Sequence, residues 1–291
     1  MNSRSENEDI YVYPNQIRIN ILENYEYLKK SNKIKQLIEL GILSPANPDR
    51  DLLILLAKTP DGVLFRATES TNEIITKLWI SKVIIKANEV YFTKPDLIFD
   101  KSLITIKFMN NIAKYSKSIR SFNEIENLLR EKGIILIYES YIKGSNIDGA
   151  CLTLPNGIPV IAVTMRFDRL DSFWFTLLHE LAHIHLHYEY LKDPIVDDLE
   201  NESQEKFEKQ ANLLAKFSIV EKHEWRTFVA ESRSLYHNSK KSEEKLKMFS
   251  DRIGVHPALV AGLLRHELKN YTLYSKIINS IEYRNLLEFE N

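Results

Sequence analysis

The sequence has few cysteines and glycines and no excess of charge of either sign. Cys151 is the one Cys among 291 residues, so no disulfide can form within the chain. The fold must therefore rely on packing, which suits a reducing compartment. With 39 Lys and Arg against 40 Asp and Glu, the net charge is -1. This balance argues against a broad phosphate-binding surface, and we expect no direct binding to nucleic acid.

Long apolar runs are also absent. The longest, such as Leu52 to Ala57 and Ile158 to Val163, fall far below the roughly 20 residues that a membrane-spanning helix needs. The opening residues MNSRSENEDI are polar and acidic, unlike a secretory signal. We therefore expect a cytoplasmic protein without membrane contact. Hydrophobic residues make up 44% of the chain, which is enough for a core and excludes a wholly disordered protein.

Changes in hydrophobic period organise the chain, because no repeat or Gly/Ser/Pro-rich linker divides it. Apolar residues at helical spacing make residues 1–120 an all-helical region. A small sheet is predicted next, with a hairpin turn at Pro155, Asn156 and Gly157. Helices dominate again afterwards, so the predicted class is α+β. The predicted helices are 15–43 (one or two), 47–58, 71–90, 101–117, one that is capped by Ser121 and stops at Gly133, 202–217 and at least three within 242–284. The predicted strands are 134–138, 150–154 and 159–165.

The strongest chemical signal is the stretch FTLLHELAHIHLH, which contains His179, Glu180 and His183 in the H-E-x-x-H arrangement. It predicts a helix that begins near Asp168 or Asp171, either of which would be the N-cap. Two histidines four positions apart project from one face of a helix and can bind a single Zn²⁺. Glu180 lies beside them, where it can take a proton from a metal-bound water and pass it to a leaving amine.

Chance is a weak explanation for this arrangement. With 8 His, a random chain of this composition would contain it on the order of 0.02 times. The helix also follows a predicted β-hairpin, whose edge strand could bind an extended peptide through backbone hydrogen bonds. The pattern therefore predicts a catalytic site with one Zn²⁺ per chain.

A catalytic zinc site needs a third protein ligand and an open position for water. His187 lies roughly 12 Å of helix rise beyond His179, too far for both to bind one ion while the helix stays straight. Glu208 on the next predicted helix is the better candidate, since Ala211 and Ala215 on nearly the same stripe would let the two helices approach closely. Glu205 is its rival.

Two further residues are candidates for supporting the site. Asn212, one turn beyond Glu208, could hydrogen-bond the second nitrogen of a ligating histidine and so fix its tautomer. His187 could act in the same way or stabilise the transition state. Tyr188 and Tyr190 compete for that last role, so the residue that stabilises the oxyanion is left open.

The stretch RFDRLDSFWFTLLHELAHIHLH, followed by EKQAN at residues 208–212, resembles the ImmA/IrrE family of zinc metallopeptidases. The tail SDRIGVHPALVAGLLRHE and the segment KIKQLIELGIL are similar to parts of members that are fused to antitoxin-type helix-turn-helix regulators. Carried over by position, the resemblance implies these roles: His179, His183 and Glu208 as zinc ligands and Glu180 as the catalytic glutamate.

The resemblance also implies a division of the chain and a function. A zincin-like metallopeptidase domain over 121–232 would lie between the helical region 1–120, which we expect to bind a partner or sense a signal, and a helical region 233–291. Little room precedes Asn15 for a DNA-binding domain, so we expect a helix-turn-helix repressor or antitoxin made as a separate chain to be cleaved, relieving repression in stress, mobile-element or phage-defence regulation. The alternative is a non-enzymatic regulator or antitoxin component that uses the same fold as a binding scaffold.

The tail itself imitates a helix-turn-helix over residues 244–264, with Gly254 in the turn and Pro257 starting the second helix. A recognition helix presents polar or basic side chains to the bases. This one offers mainly apolar residues from Ala258 to Leu264, so we expect it to pack against the core.

Overall fold

The computed structural model describes the following residues: 14–57, 71–118, 122–142, 145, 147–164, 166–191, 202–234 and 239–280. The chain forms two compact units. The first comprises residues 1–82 with 142–145, and the second comprises residues 83–141 with 146–291. Helices dominate, and the sheet found among the described residues lies in the second unit, which confirms the predicted α+β class.

The regular elements described in the first unit are helices. Gly41, with φ +72°, follows the second helix and ends it as predicted, because a left-handed residue there costs glycine little. Leu28, Leu37 and Leu52 are among its buried side chains. The helices are α1 (Pro14–Lys30), α2 (Lys33–Glu39), α3 (Pro48–Ala57) and α4 (Thr71–Thr93), of which α4 continues into the second unit.

The sheet of the second unit has the strand order β1-β3-β2. Its strands are β1 (Ile135–Tyr138), β2 (Gly149–Thr153) and β3 (Pro159–Val163). The central strand β3 runs parallel to β1 and antiparallel to β2. All five of its residues are buried, as an apolar run between two neighbouring strands requires. The three predicted strands are therefore confirmed, with ends that differ by one or two residues.

Helices precede and follow this sheet along the sequence. Those before it are α5 (Ile106–Lys114) and α6 (Phe122–Glu131). Those after it are α7 (Leu170–His187), α8 (Glu202–Ile219), α9 (Lys222–Ser234), α10 (Ser239–Ile253), α11 (Pro257–Glu267) and α12 (Ser275–Ile278). Among the described helices, none combines the length and the apolar character that a membrane span needs.

Helix α7 lies at the centre of the second unit. It packs on β2 and β3, on α8 and on α11. Ala211 and Ala215 of α8 are fully buried, in keeping with the close helix approach that their small size predicts. Gly262 of α11 lies so close to α7 that a Cβ atom on it would be 2.6 Å from Asp171 Oδ2. The two helices that flank α7 are therefore both held at short range.

The predicted N-cap of α7 was wrong. The helix begins at Leu170, and Arg169 occupies the capping position in an extended conformation without a side-chain cap. Asp171 lies inside the first turn, where its carboxylate accepts hydrogen bonds from Arg169 Nε at 3.1 Å and Nη2 at 2.9 Å. The Asp171 carboxylate therefore binds the Arg169 guanidinium and does not cap backbone N–H groups. Its negative charge still lies near the positive end of the helix.

Two features of the C-terminal helices qualify the prediction. Helix α9 was missed, although Trp225, Phe228, Val229 and Ser232 are spaced for one helix face and are all buried. The helix α11, which would be the recognition helix of a helix-turn-helix, buries most of its apolar residues, so its predicted packing against the core is confirmed.

Candidate metal centre

Two adjacent helices bring the predicted ligands together. His179 and His183 lie one turn apart on α7, and their Nε2 atoms are 3.0 Å apart. Glu208 reaches them from α8, with Oε2 at 2.9 Å from His179 Nε2 and Oε1 at 3.0 Å from His183 Nε2. Among the described residues, this is the group of His, Cys, Asp or Glu side chains that could hold a metal ion.

The donor set fits a divalent metal. Zinc binds imidazole nitrogen and carboxylate oxygen at roughly 2.0–2.2 Å, which in a tetrahedral site puts ligand atoms roughly 3.4 Å apart. The observed separations of 2.9 to 3.0 Å need to open by only a few tenths of an ångström. His179 and Glu208 keep 15% and 19% of their side chains exposed, so solvent reaches the cluster. Three ligands with solvent access are what a catalytic rather than a structural site requires.

The ionisation state of Glu208 also suits a metal ligand. Burial alone would raise the pKa of its carboxyl group. Hydrogen bonds and charge from His179 and His183 outweigh that cost and lower the pKa of Glu208 to about 2. The carboxylate is therefore ionised at neutral pH, as a metal ligand must be.

His187 lies behind His183, away from the three ligand atoms. Its Nδ1 atom is 3.2 Å from His183 Nδ1, and its Nε2 atom is 3.0 Å from Gln210 Oε1 on α8. The ring is 3% exposed and stacks on Phe207 with ring centroids 4.3 Å apart. Burial lowers the pKa of His187, which favours its neutral form.

Glu180 faces the sheet beside this cluster. Its side chain is 6% exposed, and its Oε1 atom would lie 2.8 Å from a Cβ atom on Gly149, the first residue of β2. Thr176, one turn earlier on α7, reaches the same point. Cys151 is two residues along the strand, where burial and the charge of Glu180 raise the pKa of its thiol. That thiol is therefore protonated and inert at neutral pH.

The remaining predicted residues lie elsewhere. Asn212 is exposed and makes no hydrogen bond to either ligating histidine within the described part of the chain. The contact to the second nitrogen of His183 comes from His187 instead. Glu205, the rival ligand, is exposed and pairs with Lys209. Tyr188 donates its hydroxyl to Gly157 O at 2.6 Å.

A cleft of about 730 Å³ lies between α7, α8 and α11, and its lining comes within one helical turn of the cluster without including the three ligands. Phe175 and Thr176 of α7 and Asn212 of α8 belong to its wall, each within a turn of a predicted site residue. Apolar side chains such as Leu213 and Leu263 form much of the lining. Several of its charged groups are already paired, including Arg169 with Asp171 and Lys216 with Glu267.

Residues 130–255 match the family described as the IrrE N-terminal-like domain, Peptidase_M78. This segment belongs to the ImmA/IrrE family. The match contains the sheet, α7 and α8, and thus every residue of the candidate metal centre. The ImmA/IrrE segment is therefore of a metallopeptidase type, in agreement with its cluster of two histidines and a glutamate. A comparison with curated proteins gives no match.

The match ends before α11 begins, so one wall of the cleft lies outside the ImmA/IrrE segment. Sequence patterns predicted neither this wall of the cleft nor the roles of Gln210 and Gly149. Gln210 follows Glu208 by two positions, which is about 200° around a helix and so not on a shared face. For Gly149, the signal was a glycine at the start of an apolar strand, which often marks a close approach.

Proposed function

We propose that this protein is a zinc-dependent endopeptidase that cleaves a helix-turn-helix repressor or antitoxin made as a separate chain. The observation that carries the proposal is the convergence of His179, His183 and Glu208 within 3.0 Å of one another, beside the buried carboxylate of Glu180. Two imidazoles and a carboxylate are a set of catalytic zinc ligands.

The residues of the chain divide the work of hydrolysis. When bound, zinc supplies a Lewis acid that polarises a carbonyl and lowers the pKa of water to about 7. Glu180 accepts the proton of the attacking water and delivers it to the departing nitrogen. Its position against the sheet fixes the direction from which the proton is taken, because Gly149 and Thr176 confine the carboxylate.

The edge of β2 supports a polypeptide substrate. On the side away from β3, Thr153 N donates to Leu191 O at 2.9 Å. Since backbone groups alternate along a strand, the N–H groups of Cys151 and Gly149 face this same edge. Within the described residues, β2 pairs with no second strand there. An extended peptide bound along this edge would pass Gly149 and so come beside Glu180.

The cleft next to the cluster supports selection by apolar side chains. It adjoins the start of β2 through Asp148 and lies beside Glu180 through Thr176. Charged side chains of its lining already form ion pairs, such as Arg169 with Asp171 and Lys216 with Glu267. An apolar residue next to the scissile bond therefore fits this cleft better than a charged one.

The identity of the partner rests on the resemblance to members associated with helix-turn-helix regulators. A test incubates the Zn²⁺-loaded protein with the regulator encoded beside it and follows cleavage by mass spectrometry. We expect cleavage by the wild type and by Glu205→Gln, a matched control on an exposed glutamate. We expect no cleavage by Glu180→Gln, which keeps all three ligands.

Two outcomes contradict the proposal. Cleavage by Glu180→Gln at the wild-type rate would remove the proton-transfer role. A stable complex with the regulator, without cleavage and unchanged by Glu180→Gln, would instead identify a non-enzymatic scaffold.

A further inference from the structure

A chain of three side chains leads away from the metal centre. His183 Nδ1 lies 3.2 Å from His187 Nδ1, and His187 Nε2 lies 3.0 Å from Gln210 Oε1. His183 and His187 are buried, whereas Gln210 is exposed on α8. The chain therefore runs from the back of a predicted ligand to the surface.

The proton positions along this chain are coupled. A neutral imidazole carries one N–H and one lone pair. For the Nε2 atom of His183 to bind a metal, the proton of His183 must be on Nδ1. That N–H group then donates a hydrogen bond, which His187 Nδ1 must accept. The proton of His187 is then on Nε2, which donates to Gln210 Oε1. Every group in this arrangement has its partner.

The opposite arrangement is incompatible with metal binding. If the amide nitrogen of Gln210 donated to His187 Nε2, the proton of His187 would move to Nδ1 and point at His183 Nδ1. His183 would then carry its proton on Nε2, which faces His179 and Glu208. The one atom that must bind the metal would be blocked.

We infer that His187 and Gln210 are positioning residues that hold His183 in its metal-binding tautomer. This inference rests on the proposed metal binding and goes beyond it, because neither residue belongs to the group of side chains that could hold the ion. His187 is suited to the task since its ring is fixed by its stacking on Phe207, with centroids 4.3 Å apart. Hydrogen bonds of this kind change metal affinity by about 10- to 100-fold.

The experiment measures the Zn²⁺ affinity of the full chain by competition with a chromophoric chelator. His187→Phe keeps an aromatic ring on Phe207 but removes the acceptor, so we expect a loss of about 10- to 100-fold. His187→Asn restores an acceptor, because its Oδ1 atom occupies the place of Nδ1, and we expect an affinity near that of the wild type. Lys206→Ala, at an exposed position of α8 outside the cleft, is the control and should leave the Zn²⁺ affinity unchanged.

Gln210→Leu tests the last step of the chain. In the wild-type background it should weaken Zn²⁺ binding, less than His187→Phe does, because water can partly replace the exposed amide. In the His187→Asn background it should have no effect, since Asn has no Nε2 atom to donate to residue 210. A purely structural role of His187 would not produce this dependence.

The outcomes separate the two proposals. A wild-type protein that binds no Zn²⁺ overturns the proposed function and this inference with it. A wild type that binds Zn²⁺ while His187→Phe binds it equally well overturns the inference alone, as does an Asn variant as weak as the Phe variant. Thermal unfolding of the metal-free proteins shows whether each variant is folded.

Discussion

Glu180 Oε1 lies 2.8 Å from the position that a Cβ atom on Gly149 would occupy. The backbone of Gly149, the first residue of β2, therefore lies so close to the Glu180 carboxylate that no side chain fits at position 149 without a shift. Real Cβ atoms do not approach another heavy atom this closely. The absence of a side chain at position 149 therefore helps to determine where the carboxylate can be.

Gly149→Ala should reduce hydrolysis much more than metal binding. The new methyl group would meet Thr176 Cγ2 at 2.5 Å and Ala162 O at 3.1 Å as well as Glu180, so the carboxylate must shift. A displacement of about 1 Å in a catalytic group can cost about 100-fold in rate. We expect a loss of that order in kcat with unchanged Zn²⁺ content, and a destabilisation of about 1–3 kcal/mol from overpacking.

Cys151→Ala is the control, since it alters the same strand beside Glu180 without adding atoms. Steady-state kinetics and metal analysis of both variants make the comparison. Wild-type kcat in Gly149→Ala would show that the position of the carboxylate does not depend on this glycine.

Glu208→Ala should lose its metal, whereas Glu205→Ala should keep it. Glu208 lies within 3.0 Å of both histidines, while Glu205 is exposed and pairs with Lys209. Elemental analysis after dialysis should give about one Zn²⁺ per chain for the wild type and Glu205→Ala, and little for Glu208→Ala. Equal metal content in the two variants would remove Glu208 from the ligand set.

The metal-free protein should lose stability in acid through Glu208. Its pKa in the folded chain is about 2, below the ordinary value of about 4.3. A lowered pKa means that the ionised form stabilises the fold above pH of about 4.3, and that this contribution is lost as the pH falls towards 2. Because the carboxylate is partly exposed and solvent screens its interactions, we expect a contribution on the order of 1 kcal/mol.

Urea unfolding of the metal-free wild type and Glu208→Gln, at about pH 5 and about pH 3, measures this contribution. The wild type should lose more stability between the two values, because Gln cannot be protonated. An equal loss in both proteins would show that the histidines do not stabilise the carboxylate of Glu208.

Much of the fold could be predicted because its elements have clear hydrophobic periods. The three strands and the helices around Leu52, Leu177 and Ala211 follow the expected pattern. The start of α7 was predicted to within two residues, but its N-cap was wrong: two aspartates suggested a cap, whereas Arg169 occupies that position and binds Asp171 through its side chain. Contacts between distant segments, such as the packing of Gly262 against Asp171, leave no periodic signal.

The residues of the candidate site were likewise predictable only in part. The spacing of His179 and His183 predicts one shared ion, and helix rise excludes His187 from it. Spacing alone could not separate Glu208 from Glu205, because both lie on one helix and only its rotation against α7 decides between them. The contact of His187 with Gln210 depends on that same rotation, so the sequence instead suggested Asn212.

Leu213→Glu should change which substrates are cleaved. Leu213 lines the cleft beside the metal centre and is 56% exposed, so the substitution should leave the fold intact. Burying a Leu-sized side chain contributes about 1.5–3 kcal/mol, or roughly 10- to 100-fold in kcat/KM.

For peptides from the cleavage site of the regulator, we expect the wild type to prefer Leu over Ala beside the scissile bond by that factor. Leu213→Glu should lose the preference, whereas Met248→Glu, an exposed position outside the cleft, should keep it. A preference that survives in Leu213→Glu would mean that the apolar side chain of the substrate binds elsewhere.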